Sequence, residues 1–317
     1  MAEAFIQANH LKKYFKTPKG TLHAVDDVTL SIEKGKTLGI VGESGCGKST
    51  LGRLMLNLLE PTAGEMLIGG ENLYKLSSAQ MKKMRLRAQM IFQDPYSSLN
   101  PRMSVSEIIA EPMIANHLMK NPKEIQQRVE ELMDTVGLAQ RFINTYPHEL
   151  DGGRRQRIGI ARALAVNPEF IVCDEPVSAL DVSIQAQILN LMMDLQDSLG
   201  LTYVFITHDL SVVKHISDEI AVMYLGQCVE RVPSDELFVN PLHPYTKALL
   251  SSIPTLDLSA RGKKRQILTG EVRSPINPKP GCRFAARCPH ASEACAKHIC
   301  ELKEVRPNHF VSCVLCE

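Results

Sequence analysis

Apolar positions along the chain form two patterns, short continuous runs and runs with helical spacing, and the two patterns alternate. The continuous runs "TLGIVG" (37–42), "EFIVCDE" (169–175) and "LTYVFITHD" (201–209) predict buried strands. Between them, "KSTLGRLMLNLL" (48–59) and "VSIQAQILNLMMDLQDSLG" (182–200) carry apolar residues at helical spacing. Strands that alternate with helices predict an α/β fold, a mainly parallel sheet wrapped by helices.

The N-terminal part departs from this alternation. Residues 5–41 are interpreted as short strands separated by turns, and "GEMLIGGENL" (64–73) predicts a hairpin. These segments indicate an antiparallel β part beside the parallel sheet.

A helical block also interrupts the alternation. Residues 105–143 are predicted to be largely helical, with interruptions at Pro112 and Pro122, because proline lacks the N–H that a helix interior needs. Another helix is predicted from "GRRQRIGIARALAVN" to Pro168, and its apolar residues, like those of "ILNLMMDLQ", are interpreted as core. The block at about 94–160 is therefore expected to form a lobe of its own.

The C-terminal part has a different composition. Residues 254–281 are rich in Pro, Gly and Lys/Arg and are interpreted as a linker, with "RGKKRQ" (261–266) as a solvated stretch. A cysteine-rich tail follows. The expected domains are 1–253 and an extension over 254–317.

Composition excludes several classes of protein. The chain has 317 residues, 44% of them hydrophobic and 22% charged, which is typical of a globular protein with a core. The net charge of +1 gives no indication of nucleic acid as a partner. The start, "MAEAFIQANHLKKYF", lacks the apolar core of a signal peptide, and no apolar run approaches the roughly 20 residues of a membrane helix.

The segment "GESGCGKST" fits the phosphate-loop pattern G-x-x-x-x-G-K-[ST] between a predicted strand and a predicted helix. Glycines let backbone N–H groups turn toward a phosphate, and the helix N-terminus adds partial positive charge. Lys48 is expected to reach the β- and γ-phosphates of ATP, Ser49 to bind Mg²⁺, and Cys46 to serve as a small spacer. The predicted nucleotide-binding residues here are Gly42, Glu43, Ser44, Gly45, Cys46, Gly47, Lys48, Ser49 and Thr50.

Polar residues follow two of the predicted strands. Asp174 and Glu175 end one strand, and His208 ends the next. Asp174 is expected to bind Mg²⁺, and Glu175 to polarise the attacking water as a general base. Because neighbouring parallel strands end on the same side of a sheet, His208 is expected to approach the same phosphate.

The phosphate loop, "MIFQDP", "LDGGR", "IVCDEP", "SALD" and His208 occur in an order that resembles the ATPase subunits of ABC transporters. The resemblance covers essentially the whole chain. It implies a phosphate-loop ATPase core. It implies that Gln93 reaches Mg²⁺ and the attacking water, and that Asp181 lies at a dimer interface. It also implies that an aromatic side chain stacks on adenine, with Phe15 the first choice and Tyr14 the second.

Within that family the chain resembles the importers of oligopeptides and dipeptides. The segments "FQDPYSSLNPRMSV", "HPYTKALLSSIP" and "GCRFAARCPHASEAC" carry this resemblance and favour the second of the two ATPases in such importers. It implies a different partner ATPase, two membrane permease subunits, an extracytoplasmic binding protein and a place at the cytoplasmic face of the membrane. Nickel importers share the group, so nickel or another small solute stays open as the cargo.

Six of the nine cysteines lie in the last 36 residues. The importer group has cysteines at the positions of Cys282, Cys288, Cys295 and Cys313, while Cys300 and Cys316 are additional. Thiolates gathered in a protein without a signal peptide favour a metal or an iron–sulfur cluster over disulfides. The resemblance implies a [4Fe–4S] cluster, and the alternative is a folded tail with buried, reduced cysteines. His290, His298 and His309 are interpreted as surface residues rather than substitute ligands.

The segment "LDGGR" corresponds to the family's signature, LSGGQ, and departs from it at two positions. Gly152 and Gly153 keep backbone donors available to a nucleotide held by the other ATPase. Asp151 replaces a serine, and its carboxylate can only accept hydrogen bonds and has the same sign of charge as phosphate. Arg154 replaces the glutamine and offsets that charge. The substitutions predict two unequal nucleotide sites, of which the one completed by Asp151 is slow.

Two other classes of function stay open. One is a soluble ABC ATPase acting on DNA or ribosomes, although such proteins usually carry two ATPase halves or a long coiled coil, and this chain has neither. The other is a regulatory subunit that binds ATP without turnover, against which Glu175 and His208 argue.

Overall fold

The computed structural model describes residues 4–253, 274–297 and 301–316. They form two compact units, one made of Met1–Tyr74 with Phe205–Glu317 and the other of Lys75–Val204. The predicted "RGKKRQ" stretch, His298 and Cys300 lie outside the described residues. The predicted domain boundary at 253/254 stays a prediction.

The strands of the described chain run, in order, as β1 (Ala4–Thr17), β2 (Gly20–Glu33), β3 (Thr37–Val41), β4 (Ala63–Ile68), β5 (Glu71–Asn72), β6 (Ala88–Ile91), β7 (Phe170–Asp174), β8 (Thr202–Ile206), β9 (Glu219–Tyr224), β10 (Gln227–Pro233), β11 (Lys303–Arg306) and β12 (His309–Val311). The α-helices are α1 (Lys48–Met55), α2 (Ser78–Arg87), α3 (Pro95–Ser98), α4 (Val105–Ala115), α5 (Pro122–Thr135), α6 (Gly152–Leu164), α7 (Val182–Leu199), α8 (Leu210–Ile216), α9 (Ser234–Val239), α10 (Pro244–Ser251) and α11 (Glu293–Lys297). No described helix is long and apolar enough to cross a membrane.

The antiparallel sheet of the first unit has the strand order β2-β1-β4-β5. The prediction of several short strands over 5–41 was wrong, because β1 and β2 are each 14 residues long and pair from Ala4↔Glu33 to Thr17↔Gly20. The pairing of β1 with β2 shifts register at several points, so the strands continue through the polar positions that were interpreted as turns. The predicted hairpin is confirmed as β4 and β5.

The other strands of the first unit lie side by side in the order β11-β12-β10-β9-β3. Strand β3 runs parallel to β9, and β9, β10, β12 and β11 are joined by antiparallel pairs. The tail of the chain therefore extends the sheet that carries β3. Tyr224 from β9, Tyr245 from α10 and Phe284 from the tail pack together in the core of this unit.

The second unit contains β6, β7, the first residues of β8 and helices α2 to α7. Strands β6 and β7 are parallel, in a register that pairs Ala88 with Phe170 and Ile91 with Cys173. Helix α7 buries Ile188, Leu189 and Met192, which confirms the interpretation of that run as core.

The two prolines of the helical block have different effects. Helix α5 begins at Pro122, where a missing N–H leaves no bond unmade. The predicted interruption at Pro112 was wrong, since α4 continues to Ala115 with the proline inside it. Helix α4 starts on a capping box of Ser104 and Glu107 and packs against α5 and α6, so the cap and tertiary packing offset the lost hydrogen bond.

Candidate nucleotide-binding site

The phosphate loop joins the fully buried strand β3 to helix α1. Gly42, Gly45 and Gly47 have φ angles of 151°, 76° and 105°, values that side chains rarely permit. A Cβ on Gly42 would lie 2.2 Å from the Met223 carbonyl oxygen, and one on Gly47 would lie 2.0 Å from that of Ala24. The glycines are therefore required by backbone geometry, as the sequence pattern predicts.

Lys48 lies inside the loop and is almost completely buried. Its Nζ donates to the carbonyl oxygens of Gly42 at 2.7 Å and Glu43 at 3.1 Å, which fixes the ammonium over the loop. The Sγ of Cys46 lies 3.9 Å from the same nitrogen, and burial raises the pKa of this thiol. Cys46 thus fills space beside the lysine, consistent with a spacer.

Glu43 has contacts that sequence reasoning missed. Its N–H donates to the Tyr245 hydroxyl at 2.9 Å, and its carboxylate pairs with the Arg287 guanidinium. Both partners lie in segments that carry the importer resemblance. However, they are 202 and 244 residues away in sequence, so no local pattern indicates the contacts.

Gln93 and Glu175 follow β6 and β7, and they meet in the second unit. Because Ile91 pairs with Cys173, the residues two positions further along each strand come together, and Gln93 Nε2 donates to Glu175 Oε2 at 3.0 Å. Glu175 has a left-handed φ of 47°, rare for a residue with a side chain and frequent at functional sites. The preceding residue, Asp174, is buried at the end of β7.

His208 comes shortly after β8, lies in the first unit and is exposed. The next residue, Asp209, caps α8 by accepting the Ser211 N–H at 2.8 Å. The geometry around His208 is thus a strand end followed at once by a helix start. The predicted approach of His208 to the γ-phosphate stays a prediction.

The signature segment begins helix α6, and Asp151 is its N-cap. Its Oδ1 accepts the Arg154 N–H at 2.8 Å, and its Oδ2 pairs with the Arg154 guanidinium. A Cβ on Gly152 would lie 3.0 Å from Leu180 Cδ2, and one on Gly153 would lie 2.6 Å from Ile184 Cγ2. The glycines therefore permit close approach to the segment around Asp181, which itself caps α7 through the Ile184 N–H.

The two aromatic candidates for adenine stacking lie on β1. Tyr14 stacks on His23 with ring centroids 3.9 Å apart, and its hydroxyl donates to Asp26, so burial and this carboxylate raise the tyrosine pKa. Phe15 lies with the ammonium of Lys13 over its ring, 5.1 Å from the centroid. Phe15 as the adenine partner stays a prediction.

Cys282, Cys288, Cys295 and Cys313 line one small cavity of about 10 Å³, together with His243 and Phe284. Burial raises the pKa of the Cys288 thiol, and the neighbouring thiols of Cys313 and Cys295 act in the same direction. Within the described parts of the chain, no three Cys, His, Asp or Glu side chains are close enough to hold a metal ion. Thiolates are the ligands that iron–sulfur clusters use. The cavity between these four thiols, however, is about the size of one water molecule.

Two histidines of the tail differ in their surroundings. His290 is exposed, as predicted. The prediction that His309 lies at the surface was wrong, because β12 is hydrogen-bonded to β10 and turns this side chain inward. His309 Nε2 lies 2.7 Å from Glu230 Oε1 in a buried pair. Hydrogen bonds from His309 and from the N–H groups of Leu242 and His243 outweigh burial and lower the pKa of Glu230.

Comparison with known families gives two matches. Residues 25–178 match the ABC transporter family, and residues 229–295 match the oligopeptide/dipeptide transporter C-terminal region. The second match includes three of the four cavity cysteines.

Similar proteins match along nearly their whole length. The chain is 52% identical over 322 residues to the oligopeptide transport ATP-binding protein AppF of Bacillus subtilis, covering 99% of this chain and 98% of that one. It is 52% identical to OppF of the same organism, covering 100% and 98% of the two chains. A putative peptide import ATP-binding protein of Brucella ovis is 50% identical, with 96% and 95% covered.

Solved structures agree on the fold. The dimeric ATP-binding cassette MJ0796, in a post-hydrolysis state bound to ADP and Pi, has a TM-score of 0.67 and 30% identity, covering 72% of this chain and 98% of that one. The cassette cbiO1 of Clostridium perfringens has a TM-score of 0.66 and 28% identity, covering 75% and 92%. The predicted fold, a phosphate-loop ATPase core with mixed sheets and helices, is confirmed. The chain belongs to the ABC-transporter ATP-binding proteins, in the group with the oligopeptide/dipeptide transporter C-terminal region.

Proposed function

We propose that the chain hydrolyses ATP to drive import of oligopeptides or dipeptides, as a peripheral subunit at the cytoplasmic face of a membrane transporter. The observation that carries this proposal is one chain holding both a phosphate loop and the oligopeptide-type region over 229–295. Relatives with 50–52% identity are named as peptide or oligopeptide transport ATP-binding proteins, which supports peptide as the cargo.

The roles at this chain's own nucleotide site follow from the chemistry of its residues. The backbone N–H groups from Gly45 to Thr50 and the ammonium of Lys48 bind the phosphates. Ser49, Asp174 and Gln93 would hold Mg²⁺, which would neutralise charge on the phosphates. Glu175 accepts the proton of the attacking water, and its hydrogen bond with Gln93 supports this role by orienting the carboxylate.

His208 completes the catalytic set as a donor to the γ-phosphate. The adenine ring stacks on Phe15, with Tyr14 as the second candidate. One face of each ring is occupied, that of Tyr14 by His23 and that of Phe15 by the Lys13 ammonium, so the order of the two candidates rests on the resemblance. Nucleotide affinity of Phe15→Ala and Tyr14→Ala compared side by side separates the two candidates.

The partners are a second, different ATPase, two membrane permease subunits and an extracytoplasmic peptide-binding protein, with no role for nucleic acid. The two ATPases close head to tail, so that each nucleotide is held by the phosphate loop of one and the signature of the other. Asp181 lies at that interface. Backbone N–H groups of Gly152 and Gly153 at the start of α6 support the signature as a donor site for a phosphate in trans.

The two composite sites are unequal in this proposal. Asp151 keeps the capping role that a serine would have, since its Oδ1 accepts the Arg154 N–H at 2.8 Å. A serine hydroxyl could also donate to a γ-phosphate, whereas this carboxylate cannot. The ion pair with Arg154 offsets the charge of Asp151 but supplies no hydroxyl donor. The partner's nucleotide, completed by Asp151, is therefore hydrolysed slowly, and the site built on Lys48 and Glu175 carries turnover.

The four cysteines around the small cavity are proposed to hold a [4Fe–4S] cluster with a structural role. The grouping of Cys282, Cys288, Cys295 and Cys313 around one point supports this proposal, because they are the four that the importer resemblance singles out; the thiols would have to move apart to admit the cluster. When bound, the cluster would supply four iron–thiolate bonds that fasten the tail to itself. Iron and sulfide analysis with a visible spectrum on anaerobically purified protein tests this, and a colourless, iron-free protein rules it out.

Co-purification and reconstitution test the function itself. The tagged full chain should bring down two permeases and a second ATPase, and vesicles containing that complex should hydrolyse ATP faster when the loaded binding protein is added. Uptake of a radiolabelled peptide, competed by unlabelled peptide and not by Ni²⁺, supports peptide as the cargo. Competition by Ni²⁺ instead assigns the nickel alternative. Ribosomes or DNA in place of permeases, or ATP binding without turnover in the full complex, overturns the proposal.

A further inference from the structure

The tail of the chain is attached directly to the phosphate loop, at Glu43. Arg287 Nη1 lies 2.7 Å from Glu43 Oε2, and Nη2 lies 3.0 Å from Oε1, so the two side chains form a bidentate ion pair. The Arg287 side chain is only 6% exposed and that of Glu43 25%, so the guanidinium is buried and the carboxylate is partly shielded from solvent. The carboxylate of Glu43 in turn raises the pKa of Arg287. Bidentate guanidinium–carboxylate pairs are among the stronger and more directional contacts in proteins.

A second contact holds the backbone of the same residue. The Glu43 N–H donates to the Tyr245 hydroxyl at 2.9 Å. Tyr245 is fully buried, and its ring lies 4.6 Å from that of Tyr224 and 5.4 Å from that of Phe284, between centroids. Arg287 also reaches Tyr224, whose hydroxyl lies 3.4 Å from Nη1. Glu43 is thus held at its N–H by Tyr245 and at its carboxylate by Arg287, and both of these partners contact Tyr224.

The position of Glu43 matters to the nucleotide-binding atoms around it. It follows Gly42, and its carbonyl oxygen accepts a hydrogen bond from Lys48 Nζ. A displacement of Glu43 would therefore move the lysine as well as the loop backbone. Glycine-rich backbone loses more conformational entropy than other backbone when it is ordered, so an external anchor lowers the cost of holding the loop in its binding shape.

The tail does not depend on Arg287 for its attachment. The pair of His309 with Glu230 is buried, and β12 is hydrogen-bonded to β10. Arg283 adds contacts to Asp26 and to the Leu225 carbonyl oxygen. Loss of Arg287 therefore removes the contact with the loop while these other contacts remain.

We propose that Arg287 and Tyr245 are positioning residues for the phosphate loop, so that the oligopeptide-type region over 229–295, which contains both, belongs to the nucleotide-binding machinery. Both act through Glu43, and neither touches the nucleotide. The expected consequence is a loss in MgATP affinity, seen as a raised KM, with kcat at saturating ATP nearly unchanged. Because Arg287 and Glu43 act on the loop through one ion pair, substitution of either residue should lower the MgATP affinity by a similar factor.

The test is a double-mutant cycle on the full chain, with Arg287→Ala, Glu43→Gln and the two combined. Affinity is measured with a fluorescent ATP analogue in the presence of Mg²⁺, and KM and kcat are measured in the assembled transporter. We expect each single change to weaken MgATP binding about tenfold, which corresponds to about 1.4 kcal/mol, and the double variant to be no weaker than either. Arg287→Lys should recover part of the loss, because it keeps the charge but not the fork.

Arg306→Ala is the matched control, since Arg306 lies in the same extension and pairs at 4.0 Å with Glu236 of α9 rather than with a residue of the loop. Thermal unfolding of every variant shows whether the fold survives. An affinity of Arg287→Ala within about twofold of the wild type overturns the proposal. Losses that add in the double variant, an equal loss in Arg306→Ala, or a fall confined to kcat overturn it as well. If Arg287→Ala unfolds, Tyr245→Phe provides the same test, because it removes only the hydroxyl that accepts the Glu43 N–H.

Discussion

The side-chain amide of Gln93 donates a 3.0 Å hydrogen bond to the carboxylate of Glu175. The contact is a product of strand register, because β6 and β7 are parallel and Ile91 pairs with Cys173 two residues earlier. The left-handed backbone of Glu175 turns the chain at this point. The neutral amide orients the carboxylate without placing a charge beside it. A carboxylate that acts as a general base must be oriented toward the attacking water.

Glu175→Gln is expected to abolish hydrolysis in the assembled transporter while MgATP binding persists. Removal of a general base typically costs about 10²- to 10⁴-fold in rate, whereas the phosphate loop that binds the nucleotide is unchanged by this substitution. Phosphate release and nucleotide affinity measured on the same preparation check both halves. Turnover near the wild-type rate would remove Glu175 from the catalytic role.

Gln93→Ala is expected to lower kcat by about tenfold, less than loss of the base itself, because the carboxylate remains but is no longer held. Gln89→Ala is the matched control, since Gln89 lies on β6, the strand that Gln93 follows, and its amide donates to the Arg85 carbonyl oxygen. Equal effects of the two substitutions on kcat would show that β6 is merely destabilised.

Local features of this site could be predicted from the sequence because they depend on local backbone geometry. The loop requires positive φ angles at Gly42, Gly45 and Gly47, between a strand and a helix. This requirement imposes a glycine spacing that can be recognised in the sequence. The strand end at Asp174 was also predictable, since a short continuous apolar run precedes it, whereas Gln93 was indicated only by the family resemblance. The prediction needed only periodicity and a few residues of fixed spacing.

Contacts between distant segments could not be predicted in this way. The pairs of Arg287 with Glu43 and of His309 with Glu230 join residues 244 and 79 positions apart, and both depend on where the tail adds to the sheet. Nothing in the local pattern distinguishes a buried histidine on a short strand from an exposed one. The prediction of a helix interruption at Pro112 was wrong for a related reason, because the tertiary packing of α4 overrides the local preference of proline.

Asp151→Ser is expected to raise ATP turnover at the partner's phosphate loop, provided that loop has its own catalytic glutamate. Serine keeps the N-cap of α6, removes a charge of the same sign as phosphate and supplies a hydroxyl donor. The measurement is the ATPase rate of the complex in a Glu175→Gln background, where only the partner's nucleotide can be hydrolysed.

The control for Asp151→Ser is Glu149→Gln, which removes an exposed negative charge two residues upstream, at a carboxylate that accepts the Tyr146 N–H. The asymmetry further requires that Glu175→Gln stops turnover and that the matching change in the partner does not. Equal losses from the two glutamate substitutions would contradict unequal sites, whatever Asp151→Ser does.

Cys295→Ser is expected to remove most of the iron and the visible absorption of the anaerobically purified chain, because Cys295 lines the shared cavity and is buried. Cys316→Ser is the matched control: this half-buried cysteine lies in the same extension but does not line that cavity. Iron content per chain is the readout, and it does not depend on transport activity. Loss of iron in Cys316→Ser to the same extent would argue against the four-cysteine assignment.

His243 makes the stability of the first unit depend on pH. Its ring is buried, and Nδ1 accepts the Tyr245 N–H at 3.1 Å, while burial lowers the pKa to about 4 against the pull of Glu230. The unfolded chain therefore binds more protons than the folded one between pH 6.5 and 4, and stability falls as the pH drops through that window. From pH 7 to pH 5 this residue should cost about 2 kcal/mol in the free energy of unfolding. Urea unfolding at pH 7 and pH 5 measures this change in the free energy of unfolding. The change should be smaller than in the wild type in His243→Asn, which keeps a capping oxygen, and the same as in the wild type in the control His290→Asn. An equal change in all three proteins would contradict the assignment to His243.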